Sequence, residues 1–175
     1  MKKLFAFVLV FAIAFAFSSC KSADKKTVTT KPEIIKETET TAEPNLFKSI
    51  DKSEAEKIAG AEISVPKKFG NISYNLYSDD KGSYVQTSFS QNNFNFVYRI
   101  KRTDKFEDFS GLYFTWSDIE KVKIGESEAE FRQYSEDEDS FSILLWIDES
   151  NGTMNTLSVD DAVDAELLVS IAEKI

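Results

Sequence analysis

The chain has 175 residues, with 21 Lys and Arg against 30 Asp and Glu, a formal net charge of −9, no histidine and one cysteine. A chain this acidic carries no basic footprint for nucleic acid. The lack of histidine removes the commonest general base and the commonest zinc ligand, and one cysteine cannot form an internal disulfide or a thiolate pair for a metal.

Lys2 and Lys3 precede an unbroken apolar run from Leu4 to Phe17. Fourteen residues are too few to cross a bilayer core of about 30 Å, which takes roughly 20. They match the h-region of a signal peptide. Ser18 and Ser19 follow, and then Cys20. Small-small-Cys behind an h-region resembles the bacterial lipobox, with Phe17 where that pattern usually has leucine. The resemblance implies a diacylglycerol on the Cys20 sulfur and cleavage that leaves Cys20 as the first residue. A lone exported thiol is otherwise a liability. The expected division is therefore a lipoprotein signal peptide over 1–19, a tether over 20–45 and one folded domain over 46–175. The tether is rich in Lys, Thr, Glu and Pro without an aromatic residue, a composition that cannot offset its ordering entropy. Its expected partner is the membrane, through the acyl chains, on the extracytoplasmic face.

Residues 46–175 hold 14 Lys and Arg against 25 Asp and Glu, and ten Phe, six Tyr and two Trp. Ser53-x-x-Glu56 reads as a capping box that opens a short helix ending at Gly60, with Ala55, Ile58 and Ala59 inward. Glu62 to Val65 alternates and stops at Pro66, as a strand would. Short alternating runs follow at Ile72–Tyr77, Tyr84–Phe89, Phe94–Lys101, Lys121–Ile124, Glu128–Tyr134, Ser140–Ile147 and Thr153–Val159. Turn signals separate them at Asp79–Gly82, Gln91–Asn93, Gly125 and Asn151-Gly152. Asp164 to Lys174 predicts an amphipathic helix with Leu167, Leu168, Ile171 and Ile175 as its apolar stripe. The expected fold class is α+β: an antiparallel meandering sheet with a short N-terminal helix and a C-terminal amphipathic helix packed on one face.

The segments LFKSIDKSEAEKIAGAEISVPKKFG, FVYRIKRTDKFEDFSGLY, ILLWIDESNGTMNTLSV and ELLVSIAEKI together are similar to an exported bacterial lipoprotein domain family of unknown function. That family is related to the extracellular domains of some anti-sigma-factor proteins. The resemblance covers essentially 46–175. It implies an extracytoplasmic α+β module and transfers no site residues and no cofactor.

Motif chemistry is sparse. S-x-x-K occurs at Ser22, Ser49, Ser64 and Ser78, without the companion elements that give it meaning. The sequons at Asn71 and Asn151 read as chance matches, the second as a tight turn. Ser135-Glu-Asp-Glu-Asp-Ser140 could offer oxygens to calcium but lacks the glycine and distal glutamate of an EF-hand loop. It reads as a solvated hairpin loop. Phe106 to Trp116 puts five aromatics in eleven residues, broken by Ser110-Gly111. One reading makes it an irregular crossing that plugs the core. The other makes it a partly exposed patch in which Tyr113 and Trp116, with Arg99 nearby, contact a partner. The leading expectation is a non-catalytic module that binds a protein or an envelope component. The alternative is an enzyme working through carboxylates on a glycan.

Overall fold

A computed structural model of the chain describes residues 46–80, 82–136 and 139–175, all within one compact unit. The expected signal peptide, Cys20 and the tether fall outside the described residues. In chain order the elements are β1 (Phe47–Ile50), α1 (Lys52–Ala59), β2 (Gly70–Asp79), β3 (Gly82–Gln91), β4 (Phe94–Arg102), β5 (Asp118–Ile124), β6 (Ser127–Glu136), β7 (Asp139–Asp148), β8 (Thr153–Val159) and α2 (Ala165–Ala172).

All eight strands form one antiparallel sheet in the order β1-β2-β3-β4-β8-β7-β6-β5. This is α+β, but the expected simple meander needs correction. Two four-stranded meanders are joined along β4 and β8, from Phe96↔Val159 to Arg102↔Thr153. The physical reason is the composition of β8. Its sequence, TMNTLSV, has no charge, and six of its seven residues are buried, so it belongs in the middle of the sheet. The long link between β4 and β5 carries the chain from the middle to the far edge. The two outer strands suit exposure. β1 has only four residues, and β5 alternates its apolar residues with Glu120, Lys121 and Lys123, which discourages edge pairing.

Elsewhere the turns are short. Gln91 pairs with Phe94, and Asn92 and Asn93 have φ of 51° and 68°. A two-residue hairpin turn of type I′ needs positive φ at both positions, and asparagine tolerates it better than most residues. Asp148 pairs with Thr153, so the expected Asn151-Gly152 turn closes the β7–β8 hairpin. Glu136 pairs with Asp139, which makes the acidic run a tight connection whose central two residues lie outside the described set.

One face of the sheet carries the main core. Phe89, Phe96, Tyr98, Phe131, Leu144, Trp146 and Leu157 pack there with Ala55 and Ala59 of α1 and Leu168 and Ile171 of α2. The cap of α1 differs from the expected one. Asp51, not Ser53, is the N-cap, and its carboxylate accepts from the Glu54 amide at 2.8 Å. Glu56 instead reaches forward to accept from the Ile63 amide at 3.1 Å. Gly60 ends the helix in the left-handed conformation, φ 72°. Residues 62–65 form no strand. The Ser64 amide donates to the Ile175 carbonyl at 2.6 Å, so this segment pairs with the chain end, while Ile63 is fully buried in the core. The first strand is β1, which lies before the helix.

Candidate functional site

Neither described helix lies on the opposite face of the sheet. There the link between β4 and β5, residues 103–117, lies across the strands as a strap. Its failure to become a strand has a local cause. The Asp108 carboxylate accepts from the Ser110 amide at 3.0 Å and from the Ser110 hydroxyl at 2.6 Å. The Ser110 oxygen in turn accepts from the Leu112 amide at 3.1 Å. Side chains thus take backbone partners that a ladder would otherwise supply, and Gly111 turns the chain with φ 77°.

Three cations of the sheet tie the strap down. Lys101 pairs with Glu107 at 2.7 Å. Arg132 pairs with Asp108 at 2.7 Å and with Glu130 at 2.6 Å. Arg99 donates from Nη1 to the Phe109 carbonyl at 3.5 Å and from Nε to Gln86 Oε1 at 2.9 Å. Beneath these ties Phe109, Leu112 and Trp116 pack on Ile143, Leu145 and Met154, a second apolar cluster on this side of the sheet. Rings extend it both ways. Phe114 stacks on Tyr134 at 4.5 Å and on Phe141 at 4.8 Å. Tyr84 bridges Phe109, at 5.4 Å, to Tyr77, at 4.6 Å.

The two readings of Phe106–Trp116 therefore both describe part of it. Phe109, Leu112 and Trp116 plug the second cluster. Tyr113 does the opposite: it is 94% exposed on the strap's crest. Its phenol is near enough to Tyr77 and Tyr84 to add to the upward shift of their pKa values. For Tyr77 the larger cause is its hydrogen bond to Asp79, and for Tyr84 it is burial. Trp116 is half-buried under the Arg132 guanidinium, 5.9 Å away. Arg99 is half-buried over the Tyr84 ring at 5.5 Å, and burial lowers its pKa. The structure does not bring Tyr113, Trp116 and Arg99 together as one patch. Tyr113 is presented, whereas Trp116 and Arg99 anchor the strap. Arg102 lies on the other side, with its guanidinium against Gly60.

Two hollows adjoin this face. One is an open cleft of about 750 Å³ whose lining includes Phe106, Lys121, Glu126, Glu128, Glu130 and Asp148. Burial pushes the Asp148 pKa up. Hydrogen bonds from Ser150 and Asn151 more than offset that, and its carboxyl sits below the ordinary value. The other hollow, about 430 Å³, lies at the β3–β4 turn among Lys68, Asn71, Ser90, Gln91, Asn93 and Asn95. The sequence reading missed both. The only signal for the second is the density of Asn, Ser and Gln between 88 and 95. Among the described residues no group of three or more acidic or thiol ligands is placed to hold a metal ion, and no helix is long and apolar enough to cross a membrane.

No protein-family model, no curated protein and no solved structure matches this chain, so its geometry alone bears on what the strap face does.

Proposed function

We propose that the chain is a lipid-anchored, non-catalytic module on the extracytoplasmic face of the cell membrane, built to bind a protein or an envelope component. Residues 46–175 then belong with the exported lipoprotein domains they resemble. The observation that carries this reading is the run Leu4–Phe17 followed by Ser18, Ser19 and the sole cysteine, Cys20. Two acyl chains on one residue anchor stably where one binds only marginally, at about 0.8 kcal/mol per buried methylene. The strap face supports the binding role. A tyrosine exposed to 94% on a segment tied down by three polar contacts is already ordered, so it contributes contact area at low entropic cost.

Replacing Cys20 with Ser tests the anchor. The variant is expected to leave the membrane fraction or to accumulate as uncleaved precursor. Processing and membrane fractionation like the parent would overturn the lipoprotein reading.

The acid-lined cleft favours a second reading, a carboxylate-dependent enzyme acting on an envelope glycan. A general acid needs its pKa raised, whereas Asp148 is shifted down and Glu130 is committed to Arg132. Glycan turnover that is lost in Glu128→Gln would establish the enzyme and displace the binding module.

A further inference from the structure

We infer that the uncovered half of the strap face, across β2, β3 and β4, binds a neutral glycan chain, with Tyr113 as its stacking platform. The inference rests on the binding-module reading and names the ligand class for it.

Residues directly opposite one another in a ladder share a face. The pairs Ser73↔Ser88, Asn75↔Gln86 and Tyr77↔Tyr84 therefore stand on one side of the sheet. The pairs Gln86↔Arg99 and Ser90↔Asn95 continue that side onto β4. The other side of β3 and β4 is the buried core: Val85, Phe89, Phe96, Tyr98 and Ile100 are all nearly inaccessible. On the strap side every residue from Tyr84 to Ser90 is half-buried, as expected of a sheet surface open to solvent.

The chemistry of that surface is unusual for this chain. In a protein with 29% charged residues, the area between Tyr84 and Asn95 has one charge, Arg99. That cation is already engaged by Gln86, the Phe109 carbonyl and the Tyr84 ring. Apart from Val97, which lies opposite Ser88, the rest is hydroxyl and carboxamide. Asn75 and Asn95 make no side-chain hydrogen bond with any described residue. Carboxamides and hydroxyls each donate and accept, which is the complement of a polyol and gives little purchase on an ionic ligand. At the far end the smaller hollow adds Asn71, Asn92 and Asn93 to Ser90 and Asn95, with Lys68 as its one charge.

At the near end stand the aromatics. Sugar rings present a C–H face that packs on an aromatic ring, and Tyr113 offers a ring that is almost wholly exposed, on the strap whose Phe109 contacts Tyr84. From Tyr84 to Ser90 the track is about 20 Å long at ~3.3 Å per residue. That is the reach of an oligosaccharide rather than of a single sugar. The net charge of −9 repels acidic polysaccharides, so the class is neutral.

The full chain in detergent, run through native gels containing glucan, mannan, galactan or xylan, tests this directly. Retardation is expected with at least one of them and not with polygalacturonate. Tyr113→Ala and Asn75→Ala are each expected to weaken the apparent affinity at least tenfold, with urea midpoints like the parent's. Tyr113 packs little and Asn75 lies on the open face, so neither change removes core. No retardation by any neutral polymer overturns the inference, as does retardation that both variants leave intact. A second measurement separates this failure from failure of the binding module. Labelled full chain is added to its own cell envelope after periodate or after protease. Binding lost to periodate and kept after protease supports the glycan. Binding kept after periodate and lost to protease overturns the glycan and leaves a protein-binding module. No binding to untreated envelope overturns both.

Discussion

Replacing Tyr98 with Phe removes one oxygen from the centre of the sheet. The Tyr98 hydroxyl donates to Asn155 Oδ1 at 2.7 Å, across the β4–β8 seam, and the two residues are 6% and 2% exposed. The Asn155 amide nitrogen is already committed to Thr153, to its carbonyl and its hydroxyl at 3.2 Å each. The carboxamide therefore cannot flip to find another partner without losing those bonds. The variant leaves a buried acceptor unmet, which costs about 1–3 kcal/mol. In a folded part of this size that is a fall in Tm of roughly 3–15 °C. The same group makes a second, independent prediction. Burial, and then the nearby Asp148 charge, raise the Tyr98 pKa far above the ordinary 10.0. Its folded-state pKa exceeds its unfolded one, so its contribution is intact below pH 10 and is lost as pH climbs above that value. At pH 11 the parent has lost about 1.4 kcal/mol through this one proton. The Tyr98→Phe variant has no proton to lose at this position. Urea melts at pH 7 and pH 11 should show the gap between parent and variant narrowing by about that amount. Tyr74, Tyr77 and Tyr84, whose pKa values are also raised, affect both proteins alike. A gap that stays constant with pH would refute the claim that Tyr98 is held neutral by burial.

Two further changes test the way the helices sit on the core. At Gly60 an added methyl would fall 2.7 Å from Arg102 Cζ and 2.8 Å from its Nε, at a residue with φ 72°. Gly60→Ala should cost about 1–2 kcal/mol in backbone strain, plus up to ~1 kcal/mol for displacing a cation from the helix C-terminus. Only the second part should vanish in an Arg102→Ala background, which a double-mutant cycle measured by urea melts would reveal. Leu168→Asp and Ile171→Asp put a charge where the side chains are 0% and 1% exposed. Each should cost several kcal/mol, whereas Glu166→Ala and Glu173→Ala, both exposed, should stay near the parent. Asp variants that melt like the parent would show that α2 is not part of the core.

The sequence was most legible where periodicity and turn chemistry agreed. Phe96, Tyr98 and Ile100 alternate with Val97, Arg99 and Lys101, and Asn-Asn or Asn-Gly marks a turn whatever surrounds it. It was least legible where a partner far along the chain decides the outcome. Glu62–Val65 has the alternation of a strand, but its ladder partner is only the Ser64–Ile175 contact, which local pattern does not encode. Phe47–Ile50 has four residues beside a polar stretch, and its pairing with Tyr74–Tyr77 gives it order that its own composition does not. At the helix start Asp51-x-x-Glu54 and Ser53-x-x-Glu56 are equally good capping patterns, and the demand of the Ile63 amide for Glu56 separates them. The aromatic run 106–116 was visible as unusual. Which of its rings would face water was not, because that depends on the turn that Asp108 and Ser110 make.

The seam between β4 and β8 joins residues 51 to 63 positions apart in the chain, while every other strand pairing except β1 with β2 is a local hairpin. Closing a loop of that length costs entropy before any contact repays it, and non-local pairing is what slows folding. The two halves can zip as independent hairpin stacks, yet neither can bury its share of the core until β8 arrives. Among the described strands β8 is also the last to emerge from a ribosome. The native sheet therefore cannot close until nearly the whole chain has been made, however early its hairpins form.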